Sequence, residues 1–259
     1  MDKAAIIALY DQDQRINVTY PDLRRDVLPH LIRHVDKTNK MEGSIIYSQL
    51  TAETVDAAIK EQIAYFNNID QPFEWKVFDY DQPLDLKERL AQRGFVVEEQ
   101  EAIMVMPLAA ADDVFWQPIT HDIRKITDAG GLDDVQYIEQ VVWNEDASWV
   151  QDYLGLTLRE QPEQMSVYVA YIDEKPASAA WIYYPENSQF ASLWGGSTIA
   201  EYRKRGLYTA LLAIRAQEAK TRGVAYLTVD ASPMSQPILT KYGFELLAYS
   251  WPCKWEIEE

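Results

Sequence analysis

The dipeptide Gly-Phe occurs twice, as Gly94-Phe95 and Gly243-Phe244, 149 residues apart, and the elements around the two copies follow one order. Each copy follows a short helical pattern, Leu86 and Leu90 in the first and Ile238 and Leu239 in the second, and each precedes a run that reads as a strand. Upstream lie two more strand-like runs, FEWKVF (Phe73 to Phe78) and AYLTVD (Ala225 to Asp230), rich in β-branched and aromatic residues. Before those, each copy has an amphipathic helix. In the second it carries Leu207, Ala210, Leu211 and Ile214 on one face, with Lys220 and Arg222 in its last turn and Gly223 as its stop. The first copy answers with Val55, Ala58, Ile59, Ile63 and Phe66, after Thr51 as a cap. A repeated order of this kind restricts the chain to two related α/β halves. The boundary falls in PLAAADDVFWQPITHD, giving one domain over residues 1–110 and another over 118–259.

Three strands in a meander lead to the helix of the second half: SVYVAYID, then a turn at Asp173-Glu174-Lys175-Pro176, then ASAAWIYY and FASLWGGSTI. A strand-to-helix transition leaves backbone N–H groups unpaired at the positive end of the helix dipole, which makes an anion site. The residues there are Glu201-Tyr202-Arg203-Lys204-Arg205-Gly206-Leu207-Tyr208. Adjacent cations at a positively polarised helix end repel one another, and the chain carries net charge −17, from 24 Lys+Arg against 41 Asp+Glu. A bound anion is the simplest reason for that concentration of charge. Neither GxxxxGK[ST] nor GxGxxG is present. The pattern that remains is Arg203-x-x-Gly206-x-Tyr208.

That pattern resembles the pyrophosphate loop, Gln/Arg-x-x-Gly-x-Gly/Ala, of the GNAT family of acetyl-CoA-dependent N-acetyltransferases, with Tyr208 where the family has Gly or Ala. The order of strands and helices over Ile123 to Ile257 resembles the family as well, and coverage is weaker in the first half. The resemblance implies an α/β fold built on a mixed, mostly antiparallel sheet flanked by helices, in two GNAT-like domains of which the first is a degenerate copy. It implies acetyl-CoA as cosubstrate, its pyrophosphate held by the backbone and cations of Arg203, Lys204, Arg205, Gly206, Leu207, Tyr208 and Thr209. Backbone groups near Thr198 and Ile199 would meet the pantetheine and the acetyl carbonyl, and Gly195 and Gly196 would permit the irregular strand this needs. Ser232 and Ser235 read as cap and cofactor contacts. Many family members place a tyrosine on the penultimate helix as general acid. That position is Leu239 here, and Tyr242 stands too near the turn to replace it, so the thiolate leaves unassisted or through water.

Direct transfer requires a free amine, an oriented thioester and a donor for the developing oxyanion. His30, His34 and His121 all stand ahead of Ile123, where the strands and helices of the second half begin, which excludes a local Ser/His/Asp or Cys/His arrangement among them, and Cys253 reads as structural. Asp230, at the end of AYLTVD, is the candidate to organise a water that takes the amine proton. It serves equally as a cap for a helix starting near Pro233. The stretch VVWNEDASWVQDYLGL offers Trp143, Glu145, Asp146, Trp149, Asp152 and Tyr153 as walls for a cationic amine, and the same residues equally describe a solvated acidic face.

The acidic balance argues against a nucleic-acid partner, since phosphate neutralisation supplies most of that affinity. It suits a cationic small molecule, or simply solubility. The single cysteine makes no internal disulfide and no Cys/His cluster offers a metal site, which fits a reducing compartment. No run of 18 apolar residues occurs, so a soluble cytoplasmic protein with no membrane partner is expected. In the first half the place of the phosphate loop is taken by Tyr47 to Ile59, without glycine or basic residue and with Glu53 and Asp56, so no coenzyme A is expected there. Two functions stay open: acetyl transfer to a primary amine of a small molecule, and a catalytically silent acyl-CoA-binding or regulatory protein. The chain would act as a monomer, an internal pseudo-dimer, or as a homodimer.

Overall fold

The computed structural model describes residues 2–257. In chain order the elements are α1 (Lys3–Tyr10), β1 (Leu23–Leu28), β2 (Leu31–Asp36), β3 (Gly43–Ser48), α2 (Val55–Asn68), β4 (Phe73–Phe78), α3 (Leu86–Gln92), β5 (Val96–Val97) and β6 (Glu101–Pro107). There follow β7 (Asp122–Ile126), α4 (Leu132–Trp143), α5 (Gly155–Glu160), β8 (Met165–Ile172), β9 (Lys175–Tyr183), β10 (Phe190–Thr198), α6 (Leu207–Thr221), β11 (Tyr226–Ala231), α7 (Gln236–Lys241) and β12 (Glu245–Trp255). The fold is α/β, with parallel and antiparallel strand pairs and helices packed on the strands.

The chain divides into two compact units. The first holds residues 2–104, 230–241 and 245–257, and the second residues 105–229 and 242–244. Packing therefore departs from the division expected at residues 110 and 118. β12, although last in the chain, pairs antiparallel with β4 from Ser250↔Phe78 to Trp255↔Phe73, and with β5 at Cys253↔Val97. The reason is the backbone of β4, whose free edge would otherwise lack partners.

In the first unit the strand order is β1-β2-β3-β4-β12, antiparallel throughout except for β3 with β4. Its core stacks Phe66 on Phe73, centroids 4.1 Å apart, beside Trp75, Phe95 and Cys253. The Cys253 thiol is buried and pushed up to about 12, mainly by that burial, which keeps it protonated and inert.

In the second unit β7, β8, β9 and β10 form an antiparallel meander and β11 adds to β10 in parallel. The apolar spacing of α6 turns Leu207 and Leu211 onto Tyr168, Ala170, Ala177 and Ala180 of the sheet. The order read from the sequence recurs in the pairing. β3 and β4, joined by α2, keep a parallel register from Gly43↔Phe73 to Ile45↔Trp75, and β10 and β11, joined by α6, from Phe190↔Tyr226 to Ser192↔Thr228. Gly94 and Gly243, which follow α3 and α7, both have positive φ, +99° and +85°.

α2 starts differently from the expectation. Thr54 rather than Thr51 is its cap residue, and the two threonines satisfy each other, Thr51 N–H donating to Thr54 Oγ1 at 2.9 Å.

Candidate functional site

α6 begins without a side-chain cap and without an acidic residue in its first turn. Ala210 N–H donates to Gly206 O, so the N–H groups of Leu207, Tyr208 and Thr209 have no partner within the helix. The approach is shaped by two left-handed residues, Lys204 (φ 63°) and Gly206 (φ 81°), and Arg203, Lys204, Arg205 and Gly206 are all exposed. Helix dipole, N–H donors without helical partners and three cations together are the features an anion site requires. Arg203 Nε donates back to Thr198 O at 3.0 Å, tying the loop to the end of β10.

Two residues that the sequence reading set aside meet this turn. His121 Nε2–H donates to Arg205 O at 3.0 Å, and its ring is what a Cβ on Gly206 would first approach, at 3.3 Å. His121 enters from the segment just ahead of β7 and packs on the turn through this bond. Tyr242 shares a hydrogen bond with Thr209, Oη to Oγ1 at 2.5 Å, in the first turn of α6.

β10 breaks its register against β9 between Gly195 and Ser197. Gly195 (φ +69°) and Gly196 (φ +93°) supply the left-handed backbone that the bulge requires. A Cβ on Gly195 would stand 2.5 Å from the ring of Trp181, and one on Gly196 would stand 3.2 Å from the ring of Tyr208. Tyr208 therefore turns its bulk toward the bulge. Beneath it Arg215, buried on α6, donates to Trp181 O and Trp194 O at 3.0 and 3.1 Å, clamping the strands just before the bulge. Burial pushes the Arg215 guanidinium down to about 10, against the opposing pull of Tyr208, Tyr184 and Tyr168, so it stays charged at neutral pH.

α4 lies on β9 and β10. Its inward residues are Leu132, Val135, Ile138 and, in the same stripe, Glu139. Glu139 is only 4% exposed. Trp143 Nε1 donates to its Oε2 at 2.9 Å and reaches Ser197 Oγ at 3.3 Å, while Oε1 is buried with no hydrogen-bond partner. Burial raises the Glu139 carboxyl above its usual range, and hydrogen bonds from Ser197 and Trp143 offset only part of that. Next to Ser197, Ser178 Oγ binds Ser197 O and Thr198 Oγ1, each at 2.7 Å.

The other expected residues are distributed as follows. Thr198 O is taken by Arg203 and Ile199 N–H by Ala177 O at 3.0 Å, so those two backbone groups are engaged within the unit. In the first unit Asp230 caps no helix; its Oδ2 accepts from Lys76 Nζ at 2.5 Å, and Lys76 also binds Glu101 at 2.7 Å. Ser232 does act as a cap, its Oγ accepting from Ser235 N–H at 3.3 Å and its carbonyl from Gln236 N–H. Leu239 is buried on α7. Of the aromatic and acidic stretch, Trp143 ends α4 before Asn144 in the left-handed region, Asp146 binds Ser148, and Trp149 packs on Trp181 at 5.8 Å. Glu145 and Asp152 are exposed. Where the first unit has Tyr47 to Ile59, Asp56 pairs with Arg89 at 3.0 Å.

Residues 132–244 match the model of the acetyltransferase (GNAT) family. No curated protein matches the chain in sequence. Among solved structures, a GCN5-related N-acetyltransferase from Kribbella flavida superposes with a TM-score of 0.69 at 16% identity, over 98% of this chain and 95% of its own. A tandem GNAT protein from the clavulanic acid biosynthesis pathway gives 0.62 at 11% identity, over 93% and 86%. A GCN5-related N-acetyltransferase from Sphaerobacter thermophilus gives 0.58 at 14% identity, over 89% and 78%. At these identities the likeness is one of fold. Among the described residues no helix is long and apolar enough to cross a membrane, and no cluster of side chains suits a metal ion.

Proposed function

We propose, from the match of residues 132–244 to the acetyltransferase (GNAT) family model, that the chain moves an acetyl group from acetyl-CoA directly onto a primary amine of a small, cationic molecule. The observation that carries this reading is the start of α6, where uncapped N–H groups and Arg203, Lys204 and Arg205 surround a glycine with no acid in the turn. A diphosphate suits that turn: it is a compact anion able to accept several backbone hydrogen bonds at once. The thioester end belongs along β10 beyond the bulge, where the parallel register with β11 has lapsed after Ser192↔Thr228 and strand partners on that side run out. In this reading the first unit takes no coenzyme of its own, because its helix start carries Glu53 and Asp56.

The reaction then joins the amine nitrogen to the acetyl carbon, breaks the carbon–sulfur bond and releases the thiolate, which is protonated through water. Buried Leu239, in the place of the relatives' tyrosine, favours a second reading in which the chain binds acyl-CoA without turning it over.

Calorimetric titration with acetyl-CoA, run beside Gly206→Glu, tests the first step. One site per chain, lost in the variant, is expected. Absence of binding by the unaltered protein overturns the reading, and two sites overturn the assignment of the first unit. Transfer to any member of a panel of polyamines, amino acids and aminoglycosides separates the enzyme from the silent binder.

A further inference from the structure

Glu139 stands in a position that packing does not explain. It occupies the apolar stripe of α4 between residues that face the sheet, yet it is a carboxyl with one oxygen buried and unpartnered. Such an oxygen is costly unless a donor completes it, and among the described residues no cation is paired with it. Its other oxygen is fixed by the indole of Trp143, and the hydroxyl of Ser197 closes the triangle. Ser197 is the first residue past the Gly195–Gly196 bulge, and its neighbour Thr198 is the one whose carbonyl Arg203 holds. The carboxyl and the anion-binding turn are thus tied to consecutive residues of one strand.

We propose that Glu139 binds the acceptor's ammonium and takes its proton, Oε1 being the receiving atom. The inference rests on the acetyl-transfer reading above and assigns the base to Glu139 rather than to Asp230. In the step, R–NH₃⁺ gives one proton to the Glu139 carboxylate and becomes R–NH₂. The freed lone pair forms the N–C bond to the thioester carbonyl, and the C–S bond breaks with its electron pair on sulfur. The second nitrogen proton goes to the thiolate through water, and Glu139 returns its own proton to solvent. A carboxyl raised by burial is matched to this work better than an ordinary one, because its basicity lies closer to that of the group it deprotonates. The ionisable side chains on the elements around α4 are Lys175 and Tyr183 on β9 and Asp152 and Tyr153 in the π-helical turn Val150–Leu154, while β10 has none. None of them contributes to the shift. On α4 itself Asp134 is occupied by the Tyr171 hydroxyl.

The test compares the intact protein, Glu139→Gln and Asp230→Asn over pH 5 to 9 with two primary amines of different basicity, alongside acetyl-CoA titration of each. Glutamine keeps an oxygen for Trp143, so the coenzyme should bind as before while kcat falls about 10²–10³-fold and the acidic limb of the kcat profile disappears. Asp230→Asn should keep that limb. An active wild type beside a Glu139→Gln variant within a few-fold of it overturns the inference alone, as does loss of the limb in Asp230→Asn instead. A wild type that binds acetyl-CoA and acetylates no amine overturns the transfer reading and this inference together. Should Glu139→Gln fail to fold, the wild-type profile decides: a limb fixed in pH for both amines supports Glu139, and one that moves with the amine's own basicity overturns it.

Discussion

Gly195 lies directly beneath the Trp181 ring, so close that an added Cβ would stand 2.5 Å from it. Trp181 is buried, and the φ of +69° at Gly195 is one that residues other than glycine adopt at a cost. Gly195→Ala should therefore lose about 2–4 kcal/mol of stability, overpacking and left-handed strain acting together. Urea unfolding of the variant measures it, and an unchanged midpoint would refute the packing argument.

His121 donates to Arg205 O in the turn proposed to hold the diphosphate. His121→Ala should weaken acetyl-CoA binding by roughly fivefold, the equivalent of one net hydrogen bond of about 1 kcal/mol. Calorimetry reads the change, and kcat at saturating coenzyme should remain the same.

Glu218 gathers Lys125, Tyr168, Arg222 and Ser166 around one carboxylate in the second unit. Burial alone would raise it, but those hydrogen bonds prevail and bring it from 4.5 to about 2. A depressed folded-state pKa gives stability that is complete above the unfolded value and is lost as pH falls from about 4.5 toward 2. About 3 kcal/mol rides on this group at neutral pH. Chemical denaturation at pH 7 and pH 3 should show the loss in the intact protein and a flatter dependence in Glu218→Gln.

Lys76 sits between Asp230 and Glu101, and burial, which would lower its pKa, is outweighed by those two carboxylates and Glu74, which raise it well above the ordinary value. Replacing it with Met leaves mostly buried acids facing one another and should cost about 2–4 kcal/mol. The double variant Lys76→Met/Asp230→Asn should recover part of that, as followed by thermal unfolding. An additive pair would show that the two do not interact.

Much of this architecture is legible in the sequence because it rests on local signals. The stripe of Leu207, Ala210 and Leu211 gives α6 its span, and the paired Gly-Phe positions mark two turns that both need positive φ. The turn ahead of α6 is legible for the same reason, being a contiguous run of residues. What escapes is set by contacts remote in sequence. The pairing of Asp230 with Lys76 has no trace in the sequence around either residue, and His121 looks like linker until the fold brings it to Arg205. Glu139 did leave a trace. It falls on the buried stripe of LDDVQYIEQVVW, where a carboxyl has no structural reason to be, whereas attention goes to the exposed acids that follow.

The placement of β12 bears on how the chain comes to be folded. The strand that completes the β4 edge and brings Cys253 into the core of the first unit is separated from β4 by the whole second unit. Closing so long a loop is slow compared with forming the meander of β7 to β10. On a ribosome the half that emerges first must hold an open sheet edge until nearly all of the sequence has been made. Cutting the gene between the halves would give one fragment with that edge permanently bare and another with a strand that has nothing to pair with. The first unit is divided in the genetic text, its last strand written after the second unit, and the unit whose synthesis begins first is the last to be finished.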